Sequence, residues 1–237
     1  MKRVLVIEGD GYNRRYMGQV IERLGYLSLL RGDVESGLRL LRLDMQDAVI
    51  CGDHLGEKDS IQLCRTIKDD PKFRKLPVHI VSSQTDEFFR SAAIAAGAYS
   101  VMMWPLSIRS FFKNLEGSLF KNRRQHLRSI MNFPVLVTPE YHTVRQAPQR
   151  LETHDFGVGG MYIKTPDPFP NGGPVNMRFS LPSSGSKLIM NGVVARANIQ
   201  RENNIPPGMG IMFQGINDDH RSLFSVFVER YLARGTF

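Results

Sequence analysis

Over the first 120 residues, short continuous apolar runs alternate with segments whose apolar positions recur at helical spacing. Val4-Leu5-Val6-Ile7 is the first such run, and it stops at Glu8-Gly9-Asp10-Gly11, a turn. Tyr16, Val20, Ile21 and Leu24 then recur as one face of a helix, with Gly25 as its stop. Continued along the chain, the alternation predicts strands over 27–30, 48–51, 78–81 and 99–103. Helices are predicted over 34–43, 60–67 and 87–96, and a last one begins near Ser107. Five strand–helix units of this length imply an α/β doubly wound fold around a parallel sheet.

Helical spacing persists through Ile108, Phe111, Phe112, Leu115, Leu119 and Phe120, then fades as the chain turns basic beyond Lys121. That change, with Pro134 soon after, places a boundary near 120–130. The pattern beyond it is β: strands over 135–137, 161–163, 175–179, 188–195 and 209–213, separated by Pro, Gly, Asn and Ser clusters. A small antiparallel β-barrel is expected. Asp218 or Asp219 caps a final amphipathic helix with Leu223, Val226, Phe227, Arg230 and Tyr231 along one side, and that helix is expected to pack on the barrel. The expected domains are therefore 1–120, a basic hinge over 121–130, and 131–237.

A hydrophobic content of 42% with 23% charged residues is that of a soluble globular chain. No apolar run approaches the length of a membrane span, so no membrane insertion is expected. Met1-Lys2-Arg3 is basic, but the apolar run after it is too short for a signal peptide and Glu8 ends it, so a cytoplasmic address follows. Cys51 and Cys64 lie in apolar segments outside any ligand spacing and are expected as two buried thiols. The six histidines are scattered, and no metal is assigned to them.

A net charge of +8 and a pI near 9.7 favour an anionic partner. No helix-turn-helix, zinc finger or aromatic ribonucleoprotein motif is present, so DNA is not expected. Nucleophile–base pairs, paired acids and Walker loops are also missing from the sequence, which argues against an enzyme, and no cofactor is expected.

The densest cationic cluster is Arg123-Arg124-Gln125-His126-Leu127-Arg128. Arg124 and Arg128, with Arg123 beside them, make a claw for anionic oxygens, because the planar guanidinium binds phosphate bidentately and stacks on purines. Downstream, Asp155-Phe156-Gly157-Val158-Gly159-Gly160 offers a carboxylate that suits the N–H groups of a guanine. Its glycines permit close backbone approach and positive φ. Each motif has a plainer reading: cations terminating a helix against its dipole, and a β-turn built from Asp and Gly.

Together, in this order, the two motifs resemble the signature of PilZ domains, RxxxR followed by [D/N]xSxxG, with Gly157 where the family has serine. The resemblance covers about residues 121–237 and includes Gly160-Met161-Tyr162-Ile163-Lys164-Thr165, Gly192-Val193-Val194-Ala195-Arg196 and Gly208-Met209-Gly210-Ile211-Met212-Phe213. It implies a receptor for cyclic di-GMP whose binding residues are Arg123, Arg124, Arg128, Asp155, Gly157 and Gly160. Arg196 is left with two readings, a ligand contact or a surface charge. The expected outputs are motility or biofilm control through an unidentified protein partner. The alternative is a ligand-independent adaptor.

The first half resembles the receiver domain of response regulators, a flavodoxin-like fold, through Val4–Glu8, Ser60–Arg65, Pro77–Ser82, Gly97-Ala98 and Trp104-Pro105. Receivers accept phosphate on an aspartate at the end of the third strand, with a divalent metal and a lysine. Here Gly52 stands at that position, Glu8 and Gly9 replace the paired acids with Asp10 following, and Trp104 replaces the lysine, while Ser82 keeps its hydroxyl. Asp53, one residue on, points to the opposite side of a regular strand. The expectation is a pseudo-receiver that is not phosphorylated. Trp104 either caps or fills the former acid pocket or lies exposed or at an interface. Large apolar residues from Phe88 to Phe112 make a homodimer plausible on this reading.

Overall fold

The computed structural model describes residues 1–52, 54–56, 59–84, 86–120, 126–140, 147–182, 185, 187–201 and 205–234. The chain divides into two compact units, one of residues 1–125 together with the C-terminal residues from 232, the other of residues 126–231. The first is built from β1 (Arg3–Ile7), α1 (Gly11–Arg23), β2 (Leu27–Arg31), α2 (Val34–Leu43), β3 (Ala48–Cys51), α3 (Ser60–Asp69), β4 (Val78–Ser82), α4 (Glu87–Ala95), β5 (Ser100–Met103) and α5 (Ile108–Leu119). Its sheet runs β2-β1-β3-β4-β5, with every pairing parallel. β3 and β4 are buried along their whole length; β3 accordingly reads as an unbroken apolar run, while β4 buries the polar His79 and Ser82 among its apolar residues.

Each helix start is marked by one polar side chain. Asp10, Asp33, Asp59, Asp86 and Ser107 sit at the N-caps of α1 to α5, and each accepts from the backbone N–H three residues on. Gly25 ends α1 in the left-handed region, at φ 89°. Cys51 and Cys64 are both buried free thiols. Burial pushes the Cys64 thiol up to about 11 and that of Cys51 further, so both stay protonated.

The second unit contains β6 (Arg128–Ile130), β7 (Pro134–Pro139), β8 (Gln149–Gly157), β9 (Gly160–Lys164), β10 (Pro174–Ser180), β11 (Lys187–Asn198), β12 (Gly208–Gln214) and α6 (Asp218–Ala233). Six strands close a barrel in the order β8-β7-β10-β11-β12-β9 and back to β8, while β6 adds to β8 beyond the end of β7. Between β6 and β7 the chain bulges. Thr153 holds the gap: its Oγ1 accepts from Phe133 N at 3.0 Å and donates to the Met131 carbonyl at 2.8 Å. The barrel core is aromatic, with Phe156 at ring-contact distance from Phe133, Phe179, Phe213 and Phe224.

Several expectations need correction. α5 ends at Leu119, so the segment 121–130 is not one hinge: 128–130 form strand β6. β8 escaped the sequence pattern because a register shift between Thr153 and Asp155 breaks its alternation. The cap of α6 is Asn217, whose side chain accepts from His220 N at 2.8 Å, rather than Asp218 or Asp219. The buried face of α6 carries Phe224 and Val228, whereas Val226 is exposed. Among the described residues no helix is long and apolar enough to cross a membrane.

Candidate functional site

On the barrel, strand register assembles the sequence-predicted residues. Partners in register put their side chains on the same face, and faces alternate along each strand. One row runs Arg128, Gly157, Gly160, Met212, Val193 across β6, β8, β9, β12 and β11. The neighbouring row on that face runs Ile130, Asp155, Tyr162, Gly210, Arg196. Gly157 and Gly160 thus leave a strip without side chains beside Arg128 and Asp155, while the Tyr162 ring lies against Gly210 and Arg196 stands at the far side.

Arg128 reaches diagonally to Asp155, Nη1 to Oδ1 at 2.9 Å, with both side chains partly accessible. Arg196 stands over the ring of Tyr162 at 5.6 Å from its centroid. Tyr162 is buried and its hydroxyl donates to the Pro206 carbonyl at 2.8 Å. His154 meets the same ring edge-on at 6.0 Å, and burial holds its imidazole below the usual range, against the opposing pull of Asp155. The face therefore offers two guanidiniums, one carboxylate and an open strip, which suits a flat polyanion with N–H edges.

The glycines act through close approach. A β-carbon on Gly160 would collide with the Ile211 carbonyl of β12, and one on Gly157 would lie 2.9 Å from the Leu127 carbonyl and 3.1 Å from Arg128 Cβ. Neither Gly159 nor Gly160 is among the positive-φ glycines, so the expected φ requirement is not what selects them. Nor is Asp155 in a turn: it lies in β8, and the turn is Val158-Gly159. Arg128 stands nine residues past α5, which removes helix termination as its reason. Arg123 and Arg124 lie outside the described residues. Arg196, left undecided from the sequence, belongs to this face, and its signal is register with Gly210 that only the closed barrel reveals.

The corresponding pocket of the first unit lies at the ends of β1, β3 and β4. Glu8 is fully buried; its Oε1 accepts from Asp10 N at 2.7 Å and faces His54 Nδ1 at 3.3 Å. A β-carbon on Gly52 would collide with the Glu8 carboxylate, so Glu8 takes the space of a side chain at that position. Asp10 spends its own carboxylate on the cap of α1. Ser82 is buried and accepts from Gln84 N at 3.0 Å. Trp104 packs its ring against Tyr16, with centroids 6.0 Å apart, and its Nε1 is buried without a hydrogen-bond partner among the described residues. Of the two readings left open for Trp104, filling the acid pocket or lying exposed or at an interface, the first is not needed beside Gly52, where Glu8 fills the space; Trp104 itself is half-buried. Asp53 lies outside the described residues.

A divalent ion at this pocket would need several free carboxylate oxygens. The described residues do not fit one: Glu8 is engaged, Asp10 caps a helix and Gly52 has no side chain. No cluster of three His, Cys, Asp or Glu suited to a metal occurs among the described residues.

The model of the response regulator receiver domain matches residues 4–116, and that of the PilZ domain matches residues 122–230. Over the first half the chain is 22% identical across 118 residues to the polar-differentiation response regulator DivK of Brucella anthropi, covering 50% of this chain and 96% of that protein. It is also 22% identical across 115 residues to the probable chemotaxis protein CheY of Rhizobium etli, covering 48% and 89%. Among solved structures, a putative response regulator from Chloroflexus aurantiacus aligns at 22% identity and a TM-score of 0.48, covering 50% of this chain and 97% of that one. Vibrio cholerae chemotaxis protein CheY4 aligns at 16% identity and a TM-score of 0.48, covering 50% and 99%. The chain thus carries a response regulator receiver domain over residues 4–116 followed by a PilZ domain over residues 122–230.

Proposed function

We propose that the PilZ face around Arg128, Asp155, Gly157 and Gly160 binds cyclic di-GMP, and that the protein is a non-enzymatic second-messenger receptor. The observation that carries this reading is the register of β6 against β8, which sets Arg128 beside Asp155 at the edge of a glycine strip. The ligand presents two phosphates and two guanines. Arg128, with Arg123 and Arg124 from the preceding segment, meets phosphate oxygens and stacks on a base. Asp155 accepts from guanine N–H groups.

An ion pair as accessible as Arg128–Asp155 contributes only about 0–1 kcal/mol to the fold. Exchanging it for phosphate and guanine contacts therefore costs little. The missing hydroxyl at Gly157 removes one hydrogen bond to a charged ligand, worth about 1–3 kcal/mol. That lowers affinity by roughly 5- to 150-fold relative to a serine-bearing site, without abolishing binding.

The receiver acts, on this reading, as a pseudo-receiver in the cytoplasm. With Gly52 filled by Glu8 and Trp104 in place of a lysine, it is a contact module that hands the nucleotide signal to a protein partner or to a second copy. Calorimetric titration with cyclic di-GMP tests the receptor reading, beside Arg128→Ala and an Arg124→Ala/Arg128→Ala variant. Binding at micromolar or lower concentration that the variants lose supports it. No heat at several temperatures, from folded nucleotide-free protein, would replace it with a ligand-independent adaptor.

A further inference from the structure

A second row on the barrel, away from the glycine strip, alternates cation and aliphatic residue across four strands. Arg150 on β8 is in register with Leu136 on β7, Leu136 with Arg178 on β10, and Arg178 with Ile189 on β11. Lys187 and Pro134 flank this row, and together these residues line a recess of about 430 Å³. Ile189 is 63% exposed, a large aliphatic left in water. The recess has no carboxylate in its lining. The neighbouring acid, Glu152, is turned to Lys164 on β9 at 2.8 Å. Three cations therefore share the recess without a carboxylate partner among the described residues.

We infer that this recess docks an acidic amphipathic helix of a partner protein, with carboxylates over Arg150 and Arg178 and an aliphatic side chain between them over Leu136. Spacing selects the helix. Adjacent strands lie about 4.8 Å apart, so Arg150 and Arg178 are roughly 10 Å apart with Leu136 midway. A helix rising 1.5 Å per residue places positions i, i+3 or i+4, and i+7 at about 0, 5 and 10.5 Å on one face, in step with that row. An extended chain repeats its face about every 6.7 Å and falls out of step by the second residue. Charge selects the acids, since three unpaired cations repel a basic segment and match carboxylates. An anionic membrane shares the charge preference, but only one aliphatic side chain, Ile189, lies beyond the arginines as an edge that could insert, while Leu136 lies between them in the recess. The inference is independent of nucleotide binding.

The probe is a fluorescein-labelled peptide on an alanine–glutamine background with Glu, Leu, Glu and Leu at i, i+3, i+7 and i+10, beside a scrambled peptide of equal composition. Anisotropy with the full chain at low salt should show saturable binding of the patterned peptide, and at least tenfold weaker binding of the scrambled one. Arg150→Gln/Arg178→Gln, which removes exposed charge only, should weaken the patterned peptide at least tenfold with an unchanged melting curve. Thr138→Ala, on the adjacent row, should leave it unchanged. Equal binding of the two peptides, absence of binding, or indifference to the double substitution overturns the proposal. So does pelleting with phosphatidylserine vesicles, lost in the double variant, from a protein that ignores the peptide; that outcome assigns the face to membranes.

Discussion

Glu8 and Gly52 fit each other as a pair: the buried carboxylate of one occupies the space that any side chain on the other would need. Gly52→Asp alone is therefore expected to overpack the pocket and bring two carboxylates together without water. Overpacking costs about 1–3 kcal/mol, and the like-charge contact adds to it. Glu8→Gly in the same chain vacates the space, so the double variant should recover most of the loss. Urea unfolding of the two singles and the double measures the coupling. Additive losses would show that the two residues do not share the space.

Arg128 and Asp155 give a prediction that separates folding from binding. Each is partly exposed, so Arg128→Ala or Asp155→Ala should change stability by no more than about 1 kcal/mol. The same substitutions should reduce cyclic di-GMP affinity at least tenfold, because a buried ligand group would lose its partner. Calorimetry and thermal melts on the same preparations check both halves. A large fall in melting temperature with unchanged affinity would make the pair structural.

Arg196 belongs to the same face through its register with Gly210 and its place over Tyr162. Arg196→Ala should weaken cyclic di-GMP binding by about three- to tenfold, with less effect than Arg128→Ala, since it loses one accessible cationic contact. Titration of the variant decides; unchanged affinity would return Arg196 to an ordinary surface charge.

The parallel sheet was legible because buried strands such as β1 and β3 read as apolar runs and because an aspartate or serine marks the starts of α1 to α5. Asp155 and Arg128 were legible as chemistry but not as geometry. β8 is interrupted by a bulge at His154, and β6 has only three residues, too short for periodicity to register. Arg196 could not be assigned from spacing, since its relation to Asp155 runs through four strands of a closed barrel. Glu8 was seen as a surviving acid, but its role depends on the absent side chain at Gly52, a relation between strands β1 and β3 that no local pattern contains.

Restoring the family hydroxyl by Gly157→Ser sets two effects against each other. The new hydrogen bond is worth about 1–3 kcal/mol, but the β-carbon would stand 2.9 Å from the Leu127 carbonyl and 3.1 Å from Arg128 Cβ. β6 must shift, and Arg128 with it. The expected result is a lower melting temperature and an affinity gain below threefold by titration. A gain of tenfold or more would show that β6 moves freely and that Gly157 alone weakens the site.

His79 makes receiver stability depend on pH. It is buried, with Nδ1 2.8 Å from Ser100 Oγ and Nε2 2.9 Å from Ser118 Oγ. Ser118 Oγ donates to the Leu115 carbonyl at 2.8 Å, so it accepts from Nε2–H, and Nδ1 accepts from Ser100. Both ring nitrogens are satisfied in the neutral form. Burial, aided by the Lys68 charge, pushes the imidazole down to about 4. The unfolded chain binds this proton near pH 6.5, the folded one only near 4, so between those values unfolding takes up a proton. Stability is full above about 6.5 and falls as pH drops toward 4, by about 3 kcal/mol from this group alone. Urea unfolding at pH 7.5 and 4.5 should show a larger loss for the native sequence than for His79→Gln, which keeps polar atoms near both serines without a proton to gain. Equal losses in the two proteins would assign the acid sensitivity to other groups.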